Sequence, residues 1–411
     1  MTLLGLISMT IVKKTDKTNE LRKRLLVILT IIILYLIGSM VPLLGVEPDP
    51  DQENVFNAQR IVTTMLNGAS KERSFFALGI MPYINAMILV QCFVIFRSAE
   101  AKARISQQRI QRATGVLTFI FGLFYALNKT WAFEYTIPYV PQFVARFIVI
   151  GEMLLGIVVM FGMLEFNKDH GVGETMPLIV VNIISGLRQT IGDINLLEYK
   201  KLLILCAFVI FATLLLENLF ARIPVLRVSI NNVHAEKNYI AYKHNIIGMM
   251  PVMFATAVFM LPQLILKLLL YINPDNETLR NLTVQMDLTH PMGVVIFLFI
   301  IDFLAISLAF LMLNPWDMAN NLKKSGDCLV GVPAGKKTAR YLARYILGFA
   351  ILSGLFQSGC MGISLMMSLN GVVPSQVALL PMNTMMLVGF ASSIFFELRS
   401  YYRFDGYRFF L

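Results

Sequence analysis

Ser74-Phe75-Phe76-Ala77-Leu78-Gly79-Ile80-Met81-Pro82-Tyr83-Ile84-Asn85-Ala86-Met87-Ile88-Leu89-Val90-Gln91 is apolar enough to enter a bilayer, yet Gly79 and Pro82 stand near its start. Pro82 has no backbone N–H to donate and disfavours a straight helix through the turn before it. A membrane helix tolerates this where protein or a water-filled cavity satisfies the freed carbonyl. The stretch is therefore expected to kink and to face something other than lipid. An echo lies far downstream in Gly248-Met249-Met250-Pro251-Val252-Met253-Phe254, so both runs read Gly-x-Met-Pro. Interrupted apolar helices in two halves of a chain point to a pathway between repeats.

Working outward, the composition excludes a soluble domain. Of 411 residues, 57% are hydrophobic and 15% charged, against about 25% charged in soluble domains. Ten apolar segments are near the length of a spanning helix, at 25–45, 74–96, 113–128, 144–164, 174–191, 201–220, 246–270, 291–313, 345–368 and 376–397. The fifth is short and flanked by Gly and Pro, which suits the inside of a bundle. Most of the 35 Lys and Arg fall on one side if the amino terminus is inside, so both termini are expected in the cytoplasm. That rule and anionic lipid account for the basic excess without nucleic acid. No convincing cleavable signal peptide precedes the first apolar run. The four cysteines (Cys92, Cys206, Cys328, Cys360) have no paired spacing and read as small packing residues, not as disulfides or metal ligands.

Between the first two spans, the apolar part of residues 54–71, Ile61 to Leu66, is too short to cross a bilayer. It fits an outer surface loop or a half-helix dipping back into the bundle. Gly171-Val172-Gly173 lacks the preceding strand and third glycine of a nucleotide loop. Gly331 to Thr338 falls one residue short of a P-loop.

Phe76-Ala77-Leu78-Gly79-Ile80-Met81-Pro82-Tyr83-Ile84 with Gln91 resembles the second transmembrane helix of the SecY family, the channel subunit of the bacterial protein translocase. Asn245-Ile246-Ile247-Gly248-Met249-Met250-Pro251-Val252-Met253-Phe254-Ala255 is similar to its seventh. Asn314-Pro315, Ala319, Leu322-Lys323-Lys324-Ser325-Gly326, Gly331, Gly335-Lys336 and Thr338 match its loop between helices eight and nine. Met385 to Phe390, and on to Glu397 and Tyr407, is similar to its tenth helix and tail. The resemblance implies an all-α polytopic fold with ten transmembrane helices in two inverted five-helix halves, 1–197 and 198–411, around a central pore.

It also implies site residues. A pore ring would comprise Ile80, Ile84, Met176, Val180, Met253 and Leu387, and a re-entrant plug would include Arg60, Ile61, Val62, Met65 and Leu66. A lateral gate of kinked helices two and seven would use Pro82, Asn85, Gln91, Asn245 and Pro251, with the polar side chains bonding across it. Cytosolic loops at about 221–245 and 314–345 would dock a motor through Arg222, Arg227, Lys323, Lys324, Lys336, Lys337, Arg340 and Arg344. The implied protein is no enzyme and needs no cofactor or metal. Its partners would be a SecA-type ATPase, a small SecE-like membrane subunit or accessory secretion proteins, and an unfolded secretory polypeptide with a signal sequence.

Two departures matter. Glu174-Thr175 stands where the family usually has Asn-Gly, and Pro333 where it usually has an Arg that helps engage motor or ribosome. With a shortened loop before helix seven, these resemble the accessory SecY of some Gram-positive bacteria, which works with its own accessory ATPase and exports serine-rich glycosylated adhesins. Housekeeping SecY is the alternative. A solute or ion transporter is the rival class, resting on Asp302, Glu152 and Arg146 near or inside spans. An intramembrane enzyme lacks a His-Glu-x-x-His motif, and no Ser/His pair shares a span.

Overall fold

The computed structural model describes residues 3–46, 73–95, 105–131, 133, 135, 141–192, 198–226, 239–272, 276–374 and 377–403. The plug residues Arg60, Ile61, Val62, Met65 and Leu66 lie outside them, as does Arg227. The first half of the chain forms α1 (Leu3–Met40), α2 (Met81–Ile95), α3 (Gln107–Thr130), α4 (Gln142–His170) and α5 (Met176–Gly192). The second forms α6 (Lys200–Asn218), strands β1 (Phe220–Leu226) and β2 (Tyr239–Lys243), α7 (Met250–Ile272), α8 (Glu277–Gln285), α9 (Pro291–Leu313), α10 (Pro315–Ser325), β3 (Cys328–Leu329), α11 (Lys336–Leu369) and α12 (Leu380–Arg403).

Local chemistry sets several boundaries. Ser106 caps α3 by accepting from the backbone N–H of Arg109, and Asn314 does the same for α10 through Asp317; such caps satisfy otherwise orphaned N–H groups. Pro291 opens α9, where its missing N–H costs nothing. Gly326 closes α10 in the left-handed conformation, φ +76°.

Among the described residues, six helices are long and apolar enough to cross a membrane: Leu21–Met40, Gln108–Thr130, Gln142–His170, Lys200–Asn218, Pro291–Ser325 and Lys336–Leu369. They coincide with six of the ten segments expected from the sequence. The other four fall on α2, α5, α7 and α12. Tyr83, Ile84 and Ile88 of α2, Leu178, Ile179 and Ile183 of α5, Val252, Met253 and Phe259 of α7, and Met382, Met386 and Phe390 of α12 share one buried cluster.

Two expectations are corrected. The first is the kink. Residues 73–80 form turns, closed by Ala77 N–H to Ser74 O (2.8 Å) and Gly79 N–H to Phe76 O (2.9 Å). Helix α2 starts at Met81, so Pro82 lies in its first turn, where no intrahelical partner is lost. Pro251 has the same place in α7, and the proline inside that helix is Pro262. The second is the all-α class. Strands β2-β1-β3 form a three-stranded antiparallel sheet. It joins the two segments read from the sequence as separate solvated loops. Ile223, Tyr242 and Leu329 bury its inner face against Ala309 of α9 and Leu342, Ile346 and Ala350 of α11. Apolar contact against two spans therefore anchors the sheet.

Candidate functional site

The two Gly-x-Met-Pro turns carry the geometry. Gly79 and Gly248 have φ of +55° and +68°, a region open to glycine at little cost. Each turn leaves a carbonyl that its helix cannot satisfy, and each is answered from elsewhere. The Lys129 Nζ at the end of α3 donates to Ala77 O (2.9 Å). The Gln357 Nε2 of α11 donates to Gly248 O (2.9 Å). Close approach completes the first turn: a Cβ on Gly156 of α4 would lie 2.3 Å from Phe75 O.

The six ring residues all belong to or pack against the large central cluster, which also draws on α1, α4, α6, α9 and α11. Ile80, Ile84 and Met253 are buried in it, and Met176, Val180 and Leu387 pack against it half-buried. They come from α5, α7, α12, α2 and the turn before α2. Flexible or branched aliphatic groups from separate helices can close a passage by packing and dewetting, and deform around a passing chain.

Two of the polar residues assigned to a gate, Asn85 and Asn245, have partners on neighbouring helices. Asn85 Nδ2 donates to the Tyr125 hydroxyl on α3 (2.8 Å), and its buried Oδ1 has no partner among the described residues. Asn245 Nδ2 donates to Glu217 Oε1 at the end of α6 (2.8 Å). Asn245 Oδ1 accepts from Gln357 Nε2 (3.4 Å). Gln91 is half-buried near the end of α2. Asn85 thus faces α3, and Asn245 faces the end of α6.

Sequence reasoning missed Glu217, Gln357 and Lys129. Glu217 is 1% exposed and forms an ion pair with Lys243 (3.3 Å). A lone carboxylate and a lone amide inside apolar runs were the available signal.

The turn between α4 and α5 is tied on both sides. Gly171 O accepts from Arg24 Nη1 of α1 (2.9 Å), and Gly173 N–H donates to Glu397 Oε2 of α12 (2.9 Å). Glu174 adopts φ +47°, so the departure from Asn-Gly places a long side chain where glycine or asparagine is favoured.

The basic candidates lie on and around the sheet. Arg222 of β1 is exposed, its guanidinium 4.9 Å from the Tyr239 ring centre. Lys323 and Lys324 are exposed in the last turn of α10, where the helix dipole favours them. Lys336 and Lys337 are exposed in the first turn of α11, where it does not. Arg340 and Arg344 continue that exposed face four residues apart. Exposed Pro333 accepts from Thr338 Oγ1 (3.0 Å) and shapes the loop between them. Burial pushes the Tyr242 phenol of β2 up to about 12.

The residues that suggested a transporter serve the scaffold. Arg146 bonds Thr130 Oγ1 and Leu127 O and lies over the Trp131 ring. Glu152 accepts from Leu44 N–H (3.0 Å). Only Asp302 retains a buried oxygen without a partner among the three.

The architecture is that of the SecY/Sec61 channels. The structure of a protein-conducting channel superposes with a TM-score of 0.62 at 15% identity, covering 94% of this chain and 95% of that one. Sec61 in the canine ribosome–channel complex gives 0.58 at 15%, covering 94% and 95%. The SecY family model matches residues 74–394, and the chain belongs to the SecY family of protein-translocation channels, which are membrane-spanning and not enzymes. Among relatives, the protein translocase subunit SecY of Buchnera aphidicola is 25% identical over 84% of both chains. The accessory Sec system subunit SecY2 of Streptococcus agalactiae is 26% identical over 86% of this chain and 87% of its own.

Proposed function

We propose that this chain is the protein-conducting channel of an accessory Sec translocase, passing unfolded secretory proteins across the plasma membrane under a partner SecA-type ATPase. Ten helices in two inverted halves, 1–197 and 198–411, would surround the pore, with both termini cytoplasmic. The six aliphatic residues Ile80, Ile84, Met176, Val180, Met253 and Leu387 would form its constriction, α2 and α7 its lateral gate, and the 54–71 segment its plug. The observation that carries the channel reading is the match of residues 74–394 to the SecY family on a SecY/Sec61 fold, and the placement of all six residues in or against the central core is consistent with the constriction. The accessory reading rests on Pro333 in the exposed α10–α11 loop and Glu174 in the α4–α5 turn, both departures from the family pattern. Accessory SecY2 and housekeeping SecY relatives match about equally, so the accessory reading rests on those departures alone. The sheet, with Arg222, Lys323, Lys324, Lys336, Lys337, Arg340 and Arg344 around it, would receive the motor; serine-rich glycosylated adhesins are the expected cargo.

The test is a photoreactive residue at Met253, crosslinked to a stalled secretory chain in cells depleted of one ATPase or the other. Crosslinks along the exported chain, lost only without the accessory ATPase, are expected. Loss only without the housekeeping ATPase would assign the chain to general secretion. No crosslink in any condition would overturn the channel reading.

A further inference from the structure

Glu217 lies on the line between the sheet and the start of α7. Its carboxylate is 1% exposed and has two separate partners. Oε1 accepts from Asn245 Nδ2 (2.8 Å) and Oε2 from Lys243 Nζ (3.3 Å). Lys243 is the last residue of β2, paired in register with Phe220. Its ammonium also lies 4.6 Å from the centre of the Phe396 ring on α12. Asn245 belongs to the turn that leads into α7. That turn is further held by His244 N–H to Leu219 O (3.0 Å), Asn245 N–H to Leu216 O (3.3 Å) and Gln357 Nε2 to Gly248 O (2.9 Å). Gln357 is fully buried, and its Oε1 has no partner among the described residues. Glu217 at the end of α6 thus bonds directly to β2 and to the turn before α7, and its two partners are in turn contacted by α12 and α11.

A buried carboxylate is tolerable only while its hydrogen bonds persist. If β2 shifts, Lys243 leaves Oε2; if the start of α7 shifts, Asn245 leaves Oε1. Either movement strips the same group, so the two cannot move independently at low cost.

We infer that Glu217 is a positioning residue that clamps the start of α7 to the β2-β1-β3 sheet, so that a partner bound at the sheet releases α7 and unbound sheet holds it closed. This rests on the reading of α7 as a gate helix and of the sheet as a motor-docking surface. The clamp therefore sets how strictly the channel discriminates between intact and defective signal sequences.

The experiment measures export of one cargo with an intact and with a defective signal sequence in cells carrying the full chain, for Glu217→Gln, Lys243→Met and the double variant. Lys243→Met keeps the apolar stem against Phe396 and removes only the charge, which protects the test if Glu217→Gln accumulates poorly. The ratio of defective to intact export is expected to rise about tenfold in each single variant, the shift that loss of one charge-assisted hydrogen bond gives a two-state equilibrium. The double variant should exceed neither, because both remove one interaction. A purely structural role would lower both exports together and leave the ratio within twofold, and that result overturns the clamp. Crosslinking from Met253 in the unsubstituted chain separates the two readings. A crosslink with an unchanged ratio overturns the clamp alone, and absence of a crosslink overturns the channel.

Discussion

Glu174 is the residue whose conformation and identity disagree most openly. A non-glycine residue at φ +47° is held there at a cost of about 1 kcal/mol. The turn accepts that cost because Asn167 Nδ2 donates to Glu174 O and Glu397 fixes the preceding Gly173. Glu174→Gly is expected to raise stability by about 0.5–1 kcal/mol, read as a higher unfolding midpoint in detergent; a lower midpoint would mean that the Glu174 side chain makes a contact worth more than the strain. Met253 and Leu387 raise a different question at this scale. Placing Asn at either position puts an amide into the proposed constriction, where it invites water. The expected outcome is ion leak and export of cargo with poor signal sequences. Tight seals and unchanged stringency in both variants would remove these residues from the constriction.

At the scale of elements, the starts of α2 and α7 are decisive. The Ala77 carbonyl belongs to a residue that is 3% exposed, and Lys129 reaches it from α3. Lys129→Met keeps the stem and deletes the donor, so a drop of about 1–3 kcal/mol in stability is expected; an unshifted unfolding midpoint would show that the turn does not depend on it. These turns also mark what the sequence could disclose. Gly79 and Pro82 announced an interruption, and the apolar pattern announced a buried helix. A proline that kinks a helix and one that begins it leave the same trace, because the preceding residues Ser74 to Ile80 are as apolar as the helix itself. Pro262, which does lie inside a helix, drew no notice for the same reason. The sheet was hidden differently. Phe220-Ala221-Arg222-Ile223-Pro224-Val225-Leu226 has no clean alternation and carries a proline. Only pairing with strands about 20 and 100 residues away defines it, and local propensity does not register such partners.

For the molecule as a whole, the pairing of β1 with β3 makes one surface of two loops. Leu226 and Cys328 are register partners in that pairing. Cα atoms of antiparallel partners lie about 4.5–5.5 Å apart, within disulfide reach. Leu226→Cys is therefore expected to crosslink to the native Cys328 under mild oxidation, seen as loss of both free thiols in a blocking assay. Persistent free thiols would mean that the two loops do not pair in the membrane. The ring residues were legible only through family resemblance, because aliphatic side chains meeting inside a bundle look like any other packing. Glu217 escaped notice because it closes an apolar run, where a charge reads as the edge of the membrane.

The donors that hold the two turns differ in one respect: Lys129 is a cation and Gln357 is neutral. In the proposed topology the α2 turn lies toward the outer side of the membrane and the α7 turn toward the inner. A unit charge crossing the full membrane does electrical work of about 2.3 kcal/mol per 100 mV, and a neutral amide does none. Any motion that carries Lys129 along the membrane normal is therefore biased by the membrane potential, while release of Gly248 by Gln357 is not. The two ends of the passage would then answer to different forces, the outer one to an electric field and the inner one to whatever binds the sheet.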